Sequence, residues 1–151
     1  MLPKVGLNIV PVTPDRLVEA AQVAERLGYD SVWSGEIIVS PFERQTAYHT
    51  GKAPFRSDTA FLEPFVALAA IATATTTVRL GTGIVVLPVR DPFLTARAIV
   101  TLDVLSGGRL EVGAGVGWMK DQSDIMRRAF STRGLCMEEF LDVLDLLFTE
   151  D

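Results

Sequence analysis

The chain has one cysteine, Cys136, and one histidine, His49, in 151 residues. A single cysteine excludes an intramolecular disulfide and any multi-cysteine zinc site. A single histidine argues against a histidine-built metal centre, and carboxylates do not cluster at the strand ends read below, so no metal is expected. Cys136 falls at the start of a helical pattern, which reads as a packed or half-buried thiol before it reads as a nucleophile. Basic residues are in deficit: 14 Lys and Arg stand against 19 Asp and Glu, for a formal charge of -5. No basic stripe is present, and no nucleic-acid partner is expected. Long apolar runs are missing too. The longest, Phe65 to Ala72, is far short of the ~20 residues of a spanning helix, and the N-terminal stretch loses its apolar character at Asn8 and Pro11, unlike a signal peptide. A soluble cytoplasmic protein without a membrane partner is the expectation.

What is present is apolar residues, 48% of the chain, arranged as strand and helix in alternation. The first strand reads as Val5 to Val10, with Val5, Leu7 and Ile9 on one face. Thr13 stands at an N-cap position, Pro14 follows, and Leu17, Ala20, Ala21, Ala24 and Leu27 fall at helical spacing up to a C-cap at Gly28. Ser31 to Trp33 forms a short second strand. A helix is expected from Pro64 to Thr75 and a glycine-interrupted strand from Val78 to Leu87. Asp91-Pro92 opens a helix to Ser106, stopped by Gly107-Gly108. Arg109 to Gly115 is the fourth strand. Phe140, Leu141, Leu144, Leu147 and Phe148 mark the apolar face of a last helix. Such alternation implies an α/β fold with a parallel sheet and right-handed crossovers. A doubly wound open sheet and a TIM-type barrel both fit; four units are half of the eight that a barrel of roughly 250 residues requires.

Three features invite a functional reading. The stretch from Glu36 to Leu62 has no periodicity and follows a strand's C-terminal end, the side where parallel α/β folds bind ligands. It reads as a lid or substrate loop, or else as a solvated insertion. Gly81 and Gly83 interrupt a β-branched strand, which marks a bulge or the close approach of a ligand. Gly113, Gly115 and Gly117 alternate with Ala114 and Val116; the spacing departs from the dinucleotide fingerprint and suits either a flat ligand against the backbone or a tight turn. Glu36, just past the second strand, is placed to hydrogen-bond a ligand or exchange a proton, or to be merely solvated.

The run from Arg79 to Pro92, followed by Ala96, Leu102-Asp103, Leu105-Ser106-Gly107-Gly108-Arg109 and Gly113 to Trp118, closely resembles the luciferase-like monooxygenases, and most of all their coenzyme F-420 branch. The resemblance covers Gly6 to Phe148. It implies a (β/α)8 fold of which 1–151 holds the N-terminal half, with the 36–62 loop inserted. It implies an oxidoreductase acting by hydride transfer or monooxygenation on a small organic substrate, with F-420 favoured over FMN. It further implies a non-prolyl cis peptide at Gly83-Ile84 backing the cofactor ring, and a cofactor site of Glu36, Thr82, Gly83, Ile84, Ala114, Gly115 and Gly117. No catalytic residue is carried over: the histidine that commonly follows the acidic residue in the family is Ile37 here, with His49 the one other candidate. The arginine that binds the FMN phosphate in bacterial luciferases is Val116, which favours the deazaflavin. Family members continue into strands five to eight, so a truncated form is expected. It would be either an oxidoreductase or a non-catalytic half-barrel, and it would form a homodimer, pair with a missing half, or associate through exposed sheet edges.

Overall fold

The computed structural model describes residues 3–53, 55–56 and 58–149. Pro54 and Ser57 of the long loop, and Met1 and Leu2 of the N-terminal reading, lie outside the described residues. Four strands, β1 (Gly6–Asn8), β2 (Ser31–Ser34), β3 (Arg79–Val86) and β4 (Leu110–Gly115), alternate with helices α1 (Leu17–Arg26), α2 (Pro64–Ala74) and α3 (Pro92–Ser106). After β4 come a short helix α4 (Lys120–Ile125) and the long α5 (Arg133–Thr149). The strands are parallel and lie in the order β1-β2-β3-β4. That order decides between the two architectures. A doubly wound sheet reverses direction at a switch point, whereas a barrel adds each new strand beside the last. The fold is four consecutive units of a TIM-type barrel.

The chain forms two compact units. The first holds Met1–Glu36, Ala60–Val85 and Arg97–Ala114; the second holds Ile37–Thr59, Val86–Ala96 and Gly115–Asp151. In the first, α1 and α2 pack on each other and on β2 over a core that includes Val32, Leu68, Ile71 and Leu80. Gly28, at φ 81°, ends α1 as expected: its N–H donates to Glu25 O, and that of Tyr29 to Ala24 O, which satisfies two carbonyls that the helix end would leave open. In the second unit α5 packs on the 3-10 turn Leu87–Val89, burying Phe140 and Leu144.

Several expected boundaries move. The first strand is shorter than Val5 to Val10 because the Asn8 side chain accepts a hydrogen bond from Val10 N–H and turns the chain. Thr13 makes no side-chain cap; Pro14–Arg16 is a 3-10 turn and the α-helix starts at Leu17. Asp91, at the corresponding place before α3, does cap, accepting from Leu94 N–H at 2.9 Å. Leu27 lies beyond the last turn of α1 and is 71% exposed. Leu141, Leu147 and Phe148 are exposed as well, because only the α5 stripe through Phe140 and Leu144 meets the 3-10 turn. The polar α4 carries no apolar stripe, and its hydrophobic pattern does not announce it. No helix among the described residues is long and apolar enough to cross a membrane.

Candidate functional site

The burial pattern of β3 is irregular within the first unit. Leu80 and Thr82 are buried on the face that β2 shares through Val32 and Ser34. Gly81 lies on the other face beneath the Trp33 ring, which would overlap any Cβ placed there. After the three buried residues Leu80, Gly81 and Thr82, Gly83 and Ile84 are both exposed, and Val85 and Val86 are both buried. The peptide between Gly83 and Ile84 is cis. One strand side chain per face is the rule of a regular ladder, so two successive exposed residues mark the bulge expected from the glycines.

Neighbouring strand ends close around this bulge. A Cβ on Gly35, at the end of β2, would come 3.1 Å from Gly83 O and 3.3 Å from Val10 Cγ2. On the other side, a Cβ on Gly113 of β4 would overlap Thr82 O and stand 3.6 Å from Ile84 Cγ2. The Thr82 hydroxyl donates to Gly113 O at 2.8 Å and accepts from Gly113 N–H at 2.9 Å. Glu36, immediately after Gly35, is buried at 8% exposure. The C-terminal rim thus brings Glu36, Thr82, Gly83, Ile84 and Ala114 onto one compact unit, with small residues where the backbone is closest. Gly115 and Gly117 belong to the second unit. There Gly117 adopts φ 78°, and a Cβ on it would sit 2.7 Å from Val86 Cγ1, so its glycine character serves packing and turn geometry.

Sequence reasoning missed two structural anchors, both at the opposite, N-terminal ends of the strands. Arg109 spends all five of its N–H donors. Nε donates to Ser106 O at 2.6 Å, Nη1 to Thr75 Oγ1 and Val78 O, and Nη2 to Ala72 O and Thr75 O. The Leu-Ser-Gly-Gly-Arg signature is therefore a clamp that joins the ends of α2 and α3 to the start of β3. Glu25 of α1 does similar work: one carboxylate oxygen accepts from the N–H groups of Thr76, Thr77 and Val78 and from the Thr77 hydroxyl. Desolvation pushes this carboxyl up, but the bonds from Thr77, Val78 and Thr76 outweigh it and hold it at about 2, below its ordinary 4.5. Trp33 was also passed over. Its ring lies beside Gly6 and Gly81, its Nε1–H donating to Ser31 Oγ at 2.7 Å.

In the second unit the long loop has no helix or strand among its described residues, yet it is anchored. The Asp121 carboxylate accepts from Gln45 N–H, Thr46 N–H and the Thr46 hydroxyl, and Gln122 Oε1 accepts from Ile38 N–H. The Thr46 hydroxyl, with the Gln45 and Thr46 amides, holds the Asp121 carboxyl at about 2. Tyr48 meets Trp118 edge-on at 4.9 Å, and Arg44 stands over Phe55. His49 is exposed and rests on Tyr48. Cys136 is half-buried in the first turn of α5, 3.8 Å from Thr132 Oγ1. No group of three or more metal-ligating side chains occurs among the described residues.

Residues 4–151 match the model of the luciferase-like monooxygenases. The chain belongs to that family. An uncharacterized protein of Mycobacterium tuberculosis is 33% identical over 150 residues, covering 95% of this chain and 53% of that protein. The chain thus spans about half the length of such relatives. Among solved structures, the monooxygenase RslO1 of Streptomyces bottropensis superposes with a TM-score of 0.81 at 25% identity, over 99% of this chain and 44% of that one. The coenzyme F420-dependent tetrahydromethanopterin reductase of Methanopyrus kandleri gives a TM-score of 0.59 at 26% identity, over 84% and 30%.

Proposed function

We propose that this chain carries the cofactor-facing rim of a flavin- or deazaflavin-dependent oxidoreductase, with coenzyme F-420 favoured over FMN. The observation that supports this most strongly is the pair Gly83 and Ile84, laid open between the buried Leu80–Thr82 and Val85–Val86, with Gly35 and Gly113 on either side. A flat ring needs a surface free of projecting side chains, and bulged glycine backbone supplies one. Ile84 and the Gly83 peptide, together with Ala114 and Glu36 of the same unit, would hold such a ring. Thr82 is wholly buried, main chain included, and supports the rim from beneath. Gly115 and Gly117 are assigned to the same cofactor on the family resemblance alone.

The ring, when bound, supplies redox chemistry, either hydride transfer or monooxygenation of a small organic substrate; the rim residues bind it, orient it and exclude water from one face. Val116 in place of the phosphate-binding arginine favours the deazaflavin. In this reading the protein is cytoplasmic, uses neither nucleic acid nor membrane, and associates as a homodimer or through exposed strand edges. Light scattering that finds a stable monomer contradicts the association. The test of the function is a fluorescence titration of F-420 and FMN against the purified chain and against a version extended to the relatives' length. Saturable micromolar binding, tighter for F-420, is expected; no binding of either cofactor to either version overturns the proposal.

A further inference from the structure

We infer that Thr82 is a positioning residue for the cofactor-facing bulge and makes no contact with the ring through its side chain. This rests on the reading of the rim as a flavin or deazaflavin site. The side chain is 0% exposed, so it offers no atom to a ligand. Its hydroxyl instead donates to the carbonyl and accepts from the amide of one residue, Gly113. In a regular ladder those two groups bond to main chain of the next strand. Here one side chain takes both.

Two consequences follow from this substitution of hydroxyl for main chain. The N–H and C=O of Gly113 are satisfied without recruiting the backbone of Gly83 and Ile84, which leaves that peptide turned towards the open face. The spacing between β3 and β4 at the bulge is then set by two hydrogen bonds of ordinary length, and the missing Cβ of Gly113 permits it, since a methyl group there would overlap Thr82 O. Valine has nearly the same shape as threonine and suits a buried strand equally well; what threonine adds is the pair of bonds. A serine keeps both.

The test compares Thr82→Val with Thr82→Ser by amide hydrogen exchange on the chain without cofactor, and by titration with F-420 and FMN while following the absorption and emission of the bound ring. For T82V the expected result is exchange at Gly113 faster by roughly tenfold or more, against a smaller change at amides remote from the bulge, since each lost bond is worth about that factor. Cofactor affinity falls and the ring's emission shifts. T82S stays within roughly twofold of wild type in both readouts, by the same reasoning. If T82V exchanges like wild type at Gly113, or speeds all amides equally, the positioning role is wrong. If wild type binds neither cofactor, the functional reading fails, while the exchange at Gly113 still decides the role of Thr82 in shaping the bulge.

Discussion

At the N-terminal ends of the strands, Arg109 and Glu25 gather carbonyls and amides from α2, α3 and the approach to β3 until every guanidinium donor is used. At the C-terminal ends of the same strands, Gly35 and Gly113 let backbone come close, Gly83 is exposed, and one threonine holds the bulge. Both rims are rich in signature residues, but they answer different physical demands. The first satisfies polar groups that would otherwise be left without partners. The second keeps side chains away from a surface. This division matches the general behaviour of barrels, in which the N-terminal face carries stability and the C-terminal face carries chemistry.

The contrast can be broken from either side, and the largest loss of stability is expected at the clamp. Arg109→Ala leaves carbonyls of Ala72, Thr75, Val78 and Ser106 short of donors and should cost about 3 kcal/mol in urea unfolding. Next comes Gly113→Ala on the opposite rim. Its methyl meets Thr82 O, and such overpacking should cost about 2 kcal/mol while also abolishing cofactor binding in the titration.

A smaller effect is tied to acid. Because the folded Glu25 carboxyl sits at about 2 and its ordinary value is 4.5, the unfolded chain takes up the proton first as pH falls. The stabilisation is complete above pH 4.5 and is lost between there and pH 2. Glu25→Gln should flatten that part of a stability-versus-pH curve measured by thermal melts; an unchanged slope speaks against the assigned bonds. Asp121, at about 2 against an ordinary 3.8, follows the same sign in the other unit, so acid in that window should free the loop near Gln45 and Thr46 to cleavage by an acid-active protease. The smallest change in stability belongs to Ile84→Ala. The residue is 38% exposed, and stability should change by no more than about 0.5 kcal/mol, although cofactor affinity falls. Equal affinity for Ile84→Ala and wild type would remove the ring from this face.

Much of this was legible in the sequence. Alternating apolar segments gave the element order, and the resemblance pointed to Gly83-Ile84, where the burial pattern of β3 breaks. The strand order could not be read, because short crossovers suit an open sheet and a barrel equally. Thr82 was placed among the cofactor contacts, and only the two bonds to Gly113 show where its hydroxyl goes. Arg109 stands in the sequence as part of a signature with no visible role, since its partners Ala72, Thr75 and Val78 lie more than 30 residues away. The loop's tether to Asp121 is equally long-range. Pairings of this kind have no local pattern for a sequence reading to detect.

The central claim is that the cofactor lies on the C-terminal rim of the first unit. Amide exchange with and without saturating F-420 tests it most directly. The account predicts protection confined to the amides around Glu36, Gly83, Ile84 and Ala114, with none gained at residues 72–78 or 106–109. Protection that appears at the Arg109 clamp, or that misses Gly83 and Ile84, would contradict it.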